Sequence, residues 1–170
     1  QAGPLLQYQI DSRFKGVAQA QVATDPALIR IADRNPEAAL RVLNQTRMQN
    51  LTPTLDRERR ILEARALIDG DRADLAIDLL ARVQGRDADL LRVDGYWGAK
   101  NYGAASSLLE IIYSADPTEV LNQDARMNIV KAAVGMVLAG DQLGLSRLRS
   151  KFSDRLAQSA EWPMFDYITS

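Results

Sequence analysis

One constant offset in residue number relates two consecutive stretches of this chain, and it limits the possible folds more strongly than any other feature. Five apolar or small positions recur at that offset: Ala64 with Val93, Leu67 with Tyr96, Ala76 with Ala105, Leu80 with Leu109, and Val83 with Ile112. A single amphipathic helix has no such period, whereas stacked helix-turn-helix units do. The segment from Ala64 to Pro117 therefore predicts two successive helical repeats.

A small residue lies four positions before a leucine in each predicted second helix. The pairs are Ala39 and Leu43, Ala76 and Leu80, Ala105 and Leu109, and Gly144 and Leu148. Positions i and i+4 share one helix face, so the small residue lets the paired helix approach and the leucine fills the space beside it. The intervals between successive pairs are unequal, and the middle interval is the shortest of the three. This inequality predicts that the repeats are degenerate.

Helical periodicity and turn residues predict helices along most of the chain. The predicted helices cover residues 24–33, 36–49, 56–69, 72–84, 88–99, 102–114, 120–139 and 143–157, and an apolar stripe at Leu6, Ile10, Phe14 and Val17 predicts one more. Turns are predicted at Gly70–Asp71, Lys100–Asn101 and Gly140–Asp141. Trp162–Pro163 is expected to end regular structure, with one further helical turn at residues 164–168. No segment alternates with period two as a half-buried strand would. The predicted class is all-α.

The repeat resembles the tetratricopeptide repeat (TPR) family. The closest segment, Val93 to Pro117, contains Tyr96, the turn Lys100-Asn101-Tyr102, Ala105, Leu109, Ile112 and Asp116-Pro117. It departs from the family in its irregular repeat length, since the family keeps to about 34 residues per repeat. The tryptophan and leucine expected early in each first helix are also missing. The resemblance implies a right-handed α-α superhelix, a TPR-like solenoid of about four helix pairs whose concave face binds proteins or peptides.

Composition excludes several kinds of chemistry. The chain has no histidine and no cysteine, so thiolate zinc sites and His-dependent catalytic triads are excluded. A net charge of -1 argues against general binding to nucleic acid or anionic membranes. No apolar run approaches the roughly 20 residues that span a bilayer. Arginine far outnumbers lysine, which is typical of a GC-rich bacterial genome.

Aromatic residues are densest between Tyr96 and Tyr113. Tyr96 and Tyr102 occupy repeat positions and are expected in the core. Trp97 follows Tyr96 and so faces about 100° away on a helix. Trp97 is therefore the best candidate for a groove residue that contacts a partner, and burial against a neighbouring repeat is the alternative.

The most basic local run gives the second candidate surface. Arg147, Lys151 and Arg155 are four apart and share one helix face, where they would grip an acidic partner or a phosphate. The alternative is a solvated outer face. The run from Arg57 to Arg60 mixes charges and is interpreted as a solvated helix start.

Two acidic groups are candidates for chemical sites. Asp69, Asp71 and Asp74 surround Gly70, but their order does not match a calcium-binding loop, so we expect no metal site. Paired carboxylates for glycoside hydrolysis could come from a second group, which is Asp87, Asp89, Asp94 and Glu110. No acidic residue there lies in an apolar setting that would raise its pKa.

These observations predict a non-catalytic interaction or scaffold module with a protein or peptide partner. Residues 1–170 are expected to form a single TPR-like domain, as a fragment of a longer solenoid protein. The alternatives are an accessory region of a larger enzyme and an α-helical glycoside hydrolase. We expect no cofactor, no nucleic-acid partner and no membrane insertion. A soluble protein of the bacterial cytoplasm or periplasm fits this composition.

Overall fold

Every regular element in the described part of the chain, residues 33–45 and 52–170 of a computed structural model, is a helix. The helices are α1 Pro36–Gln45, α2 Pro53–Asp69, α3 Ala73–Leu80, α4 Arg86–Gly98, α5 Tyr102–Ser114, α6 Gln123–Ala139, α7 Gln142–Leu156 and α8 Trp162–Thr169. The all-α prediction is confirmed for these ranges. The apolar stripe from Leu6 to Val17 and the helix predicted at 24–33 lie outside the described residues, apart from Asp33, which is helical.

The chain divides into two compact units, Gln1–Leu91 and Arg92–Ser170, with the division inside α4. We refer to them as unit 1 and unit 2. In unit 1, α2 packs against both α1 and α3. In unit 2, α6 packs against α5, α7 and α8, and α7 also contacts α8. The assignment of residues 1–170 to a single domain stays a prediction.

The small-residue and leucine pairs all lie inside the protein, as predicted. The buried residues are Ala39, Leu43, Ala76, Leu80, Ala105, Leu109, Gly144 and Leu148. Each leucine is at most 2% exposed. Truncating one of them would cost about 2–5 kcal/mol, because both its transfer free energy and its packing would be lost.

Three helices end in the same type of turn, at the three predicted positions. Asp71, Lys100 and Gly140 have left-handed backbones, with φ of 63°, 62° and 70°. In each turn the next residue donates its N–H to a carbonyl five positions earlier, at 2.7 Å from Arg72 to Leu67 and at 2.8 Å from Asn101 to Tyr96 and from Asp141 to Met136. A second bond joins the left-handed residue to the carbonyl three before it, which completes a Schellman motif. Asp71 and Lys100 are separated by the same offset as Ala64 and Val93, so the sequence repeat recurs in the backbone.

Capping residues move several helix starts away from the predicted ones. Thr52 accepts the N–H of Leu55, so α2 begins at Pro53 rather than at residue 56. Asn122 accepts the N–H of Ala125, so α6 begins at Gln123 rather than at residue 120.

The helix ends differ from the prediction at two further places. Helix α3 stops at Leu80 rather than at residue 84, and Gly85 follows with φ of 117°. Trp162 and Pro163 were predicted to end regular structure, and this was wrong, since they start α8. Backbone N–H groups in the first turn of a helix have no acceptor within the helix. Proline has no N–H, so no hydrogen bond is lost when it lies there, and it favours a helix start.

The solvated helix start predicted for the run from Arg57 to Arg60 is wrong for one of its members. Arg59 is only 6% exposed. It donates from Nη2 to the backbone carbonyl of Leu43 at 2.6 Å. The guanidinium thus joins α2 to α1 in unit 1, and its cost of burial is offset by a charge-assisted hydrogen bond.

Gly135 permits the close approach of α5 and α6. A Cβ at this position would lie 2.0 Å from Ser106 Oγ, 3.1 Å from the carbonyl oxygen of Tyr102 and 3.1 Å from Trp97 Cζ3. The serine hydroxyl could rotate away, but the backbone oxygen of Tyr102 could not move without shifting α5.

We expect Gly135→Ala to lower the free energy of unfolding by about 1–3 kcal/mol, because it overpacks this crossing. Gly103→Ala is the matched control, since its Cβ would lie 3.7 Å from that of Ala139, an ordinary contact. The control should be neutral or stabilise by up to about 1 kcal/mol, because alanine favours helix. Urea unfolding measures both values, and equal effects of the two substitutions would contradict the close crossing.

Candidate partner-binding surface

Trp97 lies near the end of α4 and is half-buried. The ring of Tyr102 meets it edge-on, with centroids 4.9 Å apart and planes at 74°. Lys131 Nζ lies 4.8 Å from the centroid of the indole, within the range of a cation–π interaction. The indole is therefore held by two neighbours while part of it stays accessible to solvent.

The turn after α4 brings these aromatic rings together. Lys100 takes the left-handed conformation and reverses the chain. Asn101 then caps α5 by accepting the N–H of Ala104 at 3.3 Å. Tyr102 is the first residue of α5, so its ring returns onto Trp97.

One face of α6 continues the surface beside Trp97. Met127, Lys131, Val134 and Leu138 follow at spacings of four, three and four, which align on a helix. Met127 and Leu138 are 48% and 56% exposed. The face thus presents apolar side chains to solvent on both sides of the lysine that contacts Trp97.

An ion pair joins α6 to α4 at this place. Lys131 Nζ lies 3.6 Å from Asp94 Oδ1, and both side chains remain partly exposed. Such a pair contributes little to stability, since the median for exposed pairs is about 0–1 kcal/mol. Its consequence here is positional, because it keeps the ammonium over the indole. We define the Trp97 surface as Asp94, Trp97, Met127, Lys131, Val134 and Leu138.

The other predicted site residues are bound to groups within unit 2. Arg147 Nε and Lys151 Nζ lie 3.2 and 2.9 Å from Oε2 of Glu110 on α5. Arg155 donates to the carbonyls of Tyr113 at 2.6 Å and Glu119 at 2.9 Å. The three cations share a face of α7, as predicted, and that face is tied to the end of α5.

Glu110 is a buried carboxylate, 6% exposed, whose charge is balanced by this arrangement. Burial acts to raise its pKa, but hydrogen bonds from Arg147 and Lys151 outweigh burial and hold the pKa below its usual range. The same bonds raise the pKa of Arg147. Glu110 therefore remains ionised and links α5 to α7.

Sequence reasoning found Trp97 but missed its neighbours. The spacing from Met127 to Leu138 was visible as a helix face, yet only the structure shows that Lys131 and Asp94 meet at the indole. In the described chain no hydrogen bond, ion pair or cation–ring contact joins Trp97 to Arg147, Lys151 or Arg155. The predicted site residues therefore form two separate groups.

Three of the four acidic residues considered for glycoside hydrolysis lie beside cations. Asp87 binds Arg57, Asp94 lies near Lys131, and Glu110 binds Arg147 and Lys151. In residues 33–45 and 52–170 no three acidic side chains lie close enough to hold a metal ion. None of the helices described there is long and apolar enough to cross a bilayer.

Comparison with known proteins gives no relative. No family model matches the chain, and neither a curated protein nor a solved structure is detectably similar to it. The resemblance to tetratricopeptide repeats therefore depends on the residues of this chain alone.

We expect Glu110→Gln to destabilise the chain by about 1–3 kcal/mol at neutral pH, because it removes the negative charge that accepts hydrogen bonds from Arg147 and Lys151. The folded-state pKa of Glu110 is lowered, so its contribution is complete above the ordinary carboxyl pKa of about 4.3 and is lost as the pH falls through the lowered value. The parent and the variant should therefore converge in acid.

Urea unfolding from pH 7 to pH 3 measures this convergence. Glu58→Gln, at an exposed position, is the control and should match the parent at every pH. A difference between parent and Glu110→Gln that stays constant down to pH 3 would mean that the ion pairs do not stabilise the fold.

Proposed function

We propose that this chain is a non-catalytic binding module that holds a protein or peptide partner on the Trp97 surface. The observation that carries the proposal is a positioned, half-buried tryptophan beside exposed apolar side chains of α6. Tryptophan is enriched among the residues that dominate binding energy at protein interfaces. Solvent-exposed apolar groups that cluster around such a residue are typical of interaction sites.

The position of the indole favours binding because little freedom would be lost on association. Tyr102 and Lys131 already hold the ring in the free protein. Immobilising a mobile side chain on binding costs about 0.5–1.5 kcal/mol. Because the indole of Trp97 is already held in place, binding a partner avoids part of this entropy cost.

The charges of Lys131 and Asp94 suit the polar edge of such an interface. Their side chains are 32% and 49% exposed, so the ammonium can donate additional hydrogen bonds and the carboxylate can accept them. Interfaces commonly combine an apolar centre with a polar rim. The partner that fits is a protein segment with apolar side chains flanked by at least one charged group.

The state of the carboxyl groups supports a role without catalysis. Hydrogen bonds from Arg57 lower the pKa of Asp87, and hydrogen bonds from Thr118 lower that of Asp116. In Glu110, bonds from two cations outweigh the effect of burial. A general acid needs the opposite shift, toward neutral pH.

A TPR-like arrangement of helix pairs is part of the proposal. It is supported by the Schellman turns at Asp71 and Lys100, which repeat at the same offset as the buried small residues Ala76 and Ala105. In such an arrangement α4 and α6 would both be first helices of their pairs. The Trp97 surface would then be formed by two successive first helices.

The basic face of α7 is proposed as a secondary contact. Arg155 is occupied by backbone carbonyls of unit 2. Arg147 and Lys151 are 48% and 43% exposed, so an acidic group of the partner could reach both cations beside the carboxylate that they share.

We expect Trp97→Ala to keep the helical circular dichroism of the parent and to weaken partner capture at least about tenfold, as loss of a hot-spot tryptophan does. The measurement is affinity capture from a lysate of the source cells, with parent and variant as bait. Leu75→Ala is the control, since it removes a 44% exposed apolar side chain from unit 1. Equal capture by Trp97→Ala and the parent would contradict the proposal, as would loss of capture by the control.

A further inference from the structure

An open groove of about 410 Å³ in unit 1 lies between the first turns of α2 and the connection that follows α3. Its lining residues are Asp56, Arg57, Arg60, Arg82, Val83 and Gln84. Pockets for small ligands commonly measure about 300–1,000 Å³. The groove is lined by three guanidinium groups and one carboxylate.

Arg57 forms a fixed wall of the groove. It donates from Nη1 to Asp87 Oδ2 at 3.0 Å and from Nε to the carbonyl of Gln84 at 3.2 Å. The hydrogen bond to Asp87 raises the pKa of Arg57 and lowers that of the carboxyl group. These bonds tie the start of α2 to the connection before α4 and to the first turn of α4, and they fix the position of the Arg57 guanidinium.

The other two arginines have guanidinium N–H groups that can donate further hydrogen bonds. Arg60 uses Nε to bind Asp56 Oδ2 at 2.9 Å, and its two terminal amino groups have no partner among the described residues. Arg82 is exposed and makes no hydrogen bond or ion pair with any residue of the described ranges. Asp87 and Asp56 form ion pairs with Arg57 and Arg60, so Arg82 is the lining cation without an ion-pair partner in the described ranges.

We propose that this groove binds the phosphate group of a small ligand through Arg60 and Arg82. Guanidinium donors are arranged as a planar fork that matches pairs of phosphate oxygens. Arg57 supplies a rigid, positively charged wall, and Val83 lies beside it as the apolar part of the lining. A phosphate carries more charge than a carboxylate, so it gains more from the uncompensated guanidinium of Arg82.

The proposal is independent of the Trp97 surface, because every lining residue belongs to unit 1. Loss of partner capture in unit 2 variants would leave it intact. Conversely, failure to bind phosphate would not affect the interaction proposed for Trp97.

The test is a titration of the full chain with inorganic phosphate at constant ionic strength, followed by backbone amide chemical shifts. Saturable shifts are expected at residues 55–60 and 81–85. Arg82→Ala and Arg60→Ala should each weaken binding at least about tenfold, the loss expected for one charge-assisted hydrogen bond. Arg65→Ala, an exposed arginine of the same helix outside the groove, should bind like the parent.

A second titration uses phenyl phosphate to separate the two sources of the group. Tighter binding than inorganic phosphate would assign the site to a phosphorylated organic ligand, and equal binding would assign it to free phosphate. Shifts that do not saturate, or that persist unchanged in both Arg60→Ala and Arg82→Ala, would overturn the proposal. Thermal unfolding of the variants should match that of the parent, since both side chains are exposed.

Discussion

Unit 2 depends on the close crossing of α5 and α6 at Gly135. The crossing leaves no room for a side chain at that glycine. It also buries Ser106 completely, and the hydroxyl of Ser106 has no hydrogen-bond partner in the part of the chain that the structure describes. An unpaired buried hydroxyl costs about 1–3 kcal/mol, so the close packing of α5 and α6 includes the desolvation cost of this hydroxyl. The same crossing brings α6 next to Trp97, because a Cβ on Gly135 would lie 3.1 Å from the indole. Without this contact, Lys131 would not lie over the ring.

Helix α5 links the two groups of candidate binding residues. Tyr102, at its start, contacts Trp97, and Glu110, near its end, binds Arg147 and Lys151 of α7. A buried carboxylate held by two cations adds less to stability than an apolar cluster would, because desolvation offsets much of the attraction. It does fix one register of α7 on α5, since a displaced α7 would leave the charge unpaired. We interpret the ion cluster as a device that orders the helices around the proposed surface.

The turns and the buried positions within each helix could be predicted from the sequence, whereas the contacts between helices could not. Residues within one or two helical turns were enough to predict the turns at Asp71, Lys100 and Gly140. They were also enough to predict the buried pairs of a small residue and a leucine. The start of helix α8 was misplaced because Trp162-Pro163 was interpreted as a stop, although proline also begins helices. Arg59 was interpreted as solvated because nothing in its own helix indicates the Leu43 carbonyl that it binds. The same holds for the Trp97 surface, of which one part could be predicted from the sequence and another could not. The angle between Trp97 and Tyr96 made the indole a candidate, whereas its contact with Lys131 depends on two helices that are distant in the sequence.

Site-specific photocrosslinking tests the binding role of the Trp97 surface most directly. A photoreactive amino acid would replace Leu138 on that surface in one variant and Ile111 of α5 in another. Both are exposed apolar residues of unit 2, at 56% and 64%, so they differ in location and little in chemistry. After irradiation with a lysate of the source cells, we expect a discrete crosslinked partner from position 138 and none from position 111. No crosslink from position 138, or the same product from both positions, would contradict the assignment of this surface to partner binding.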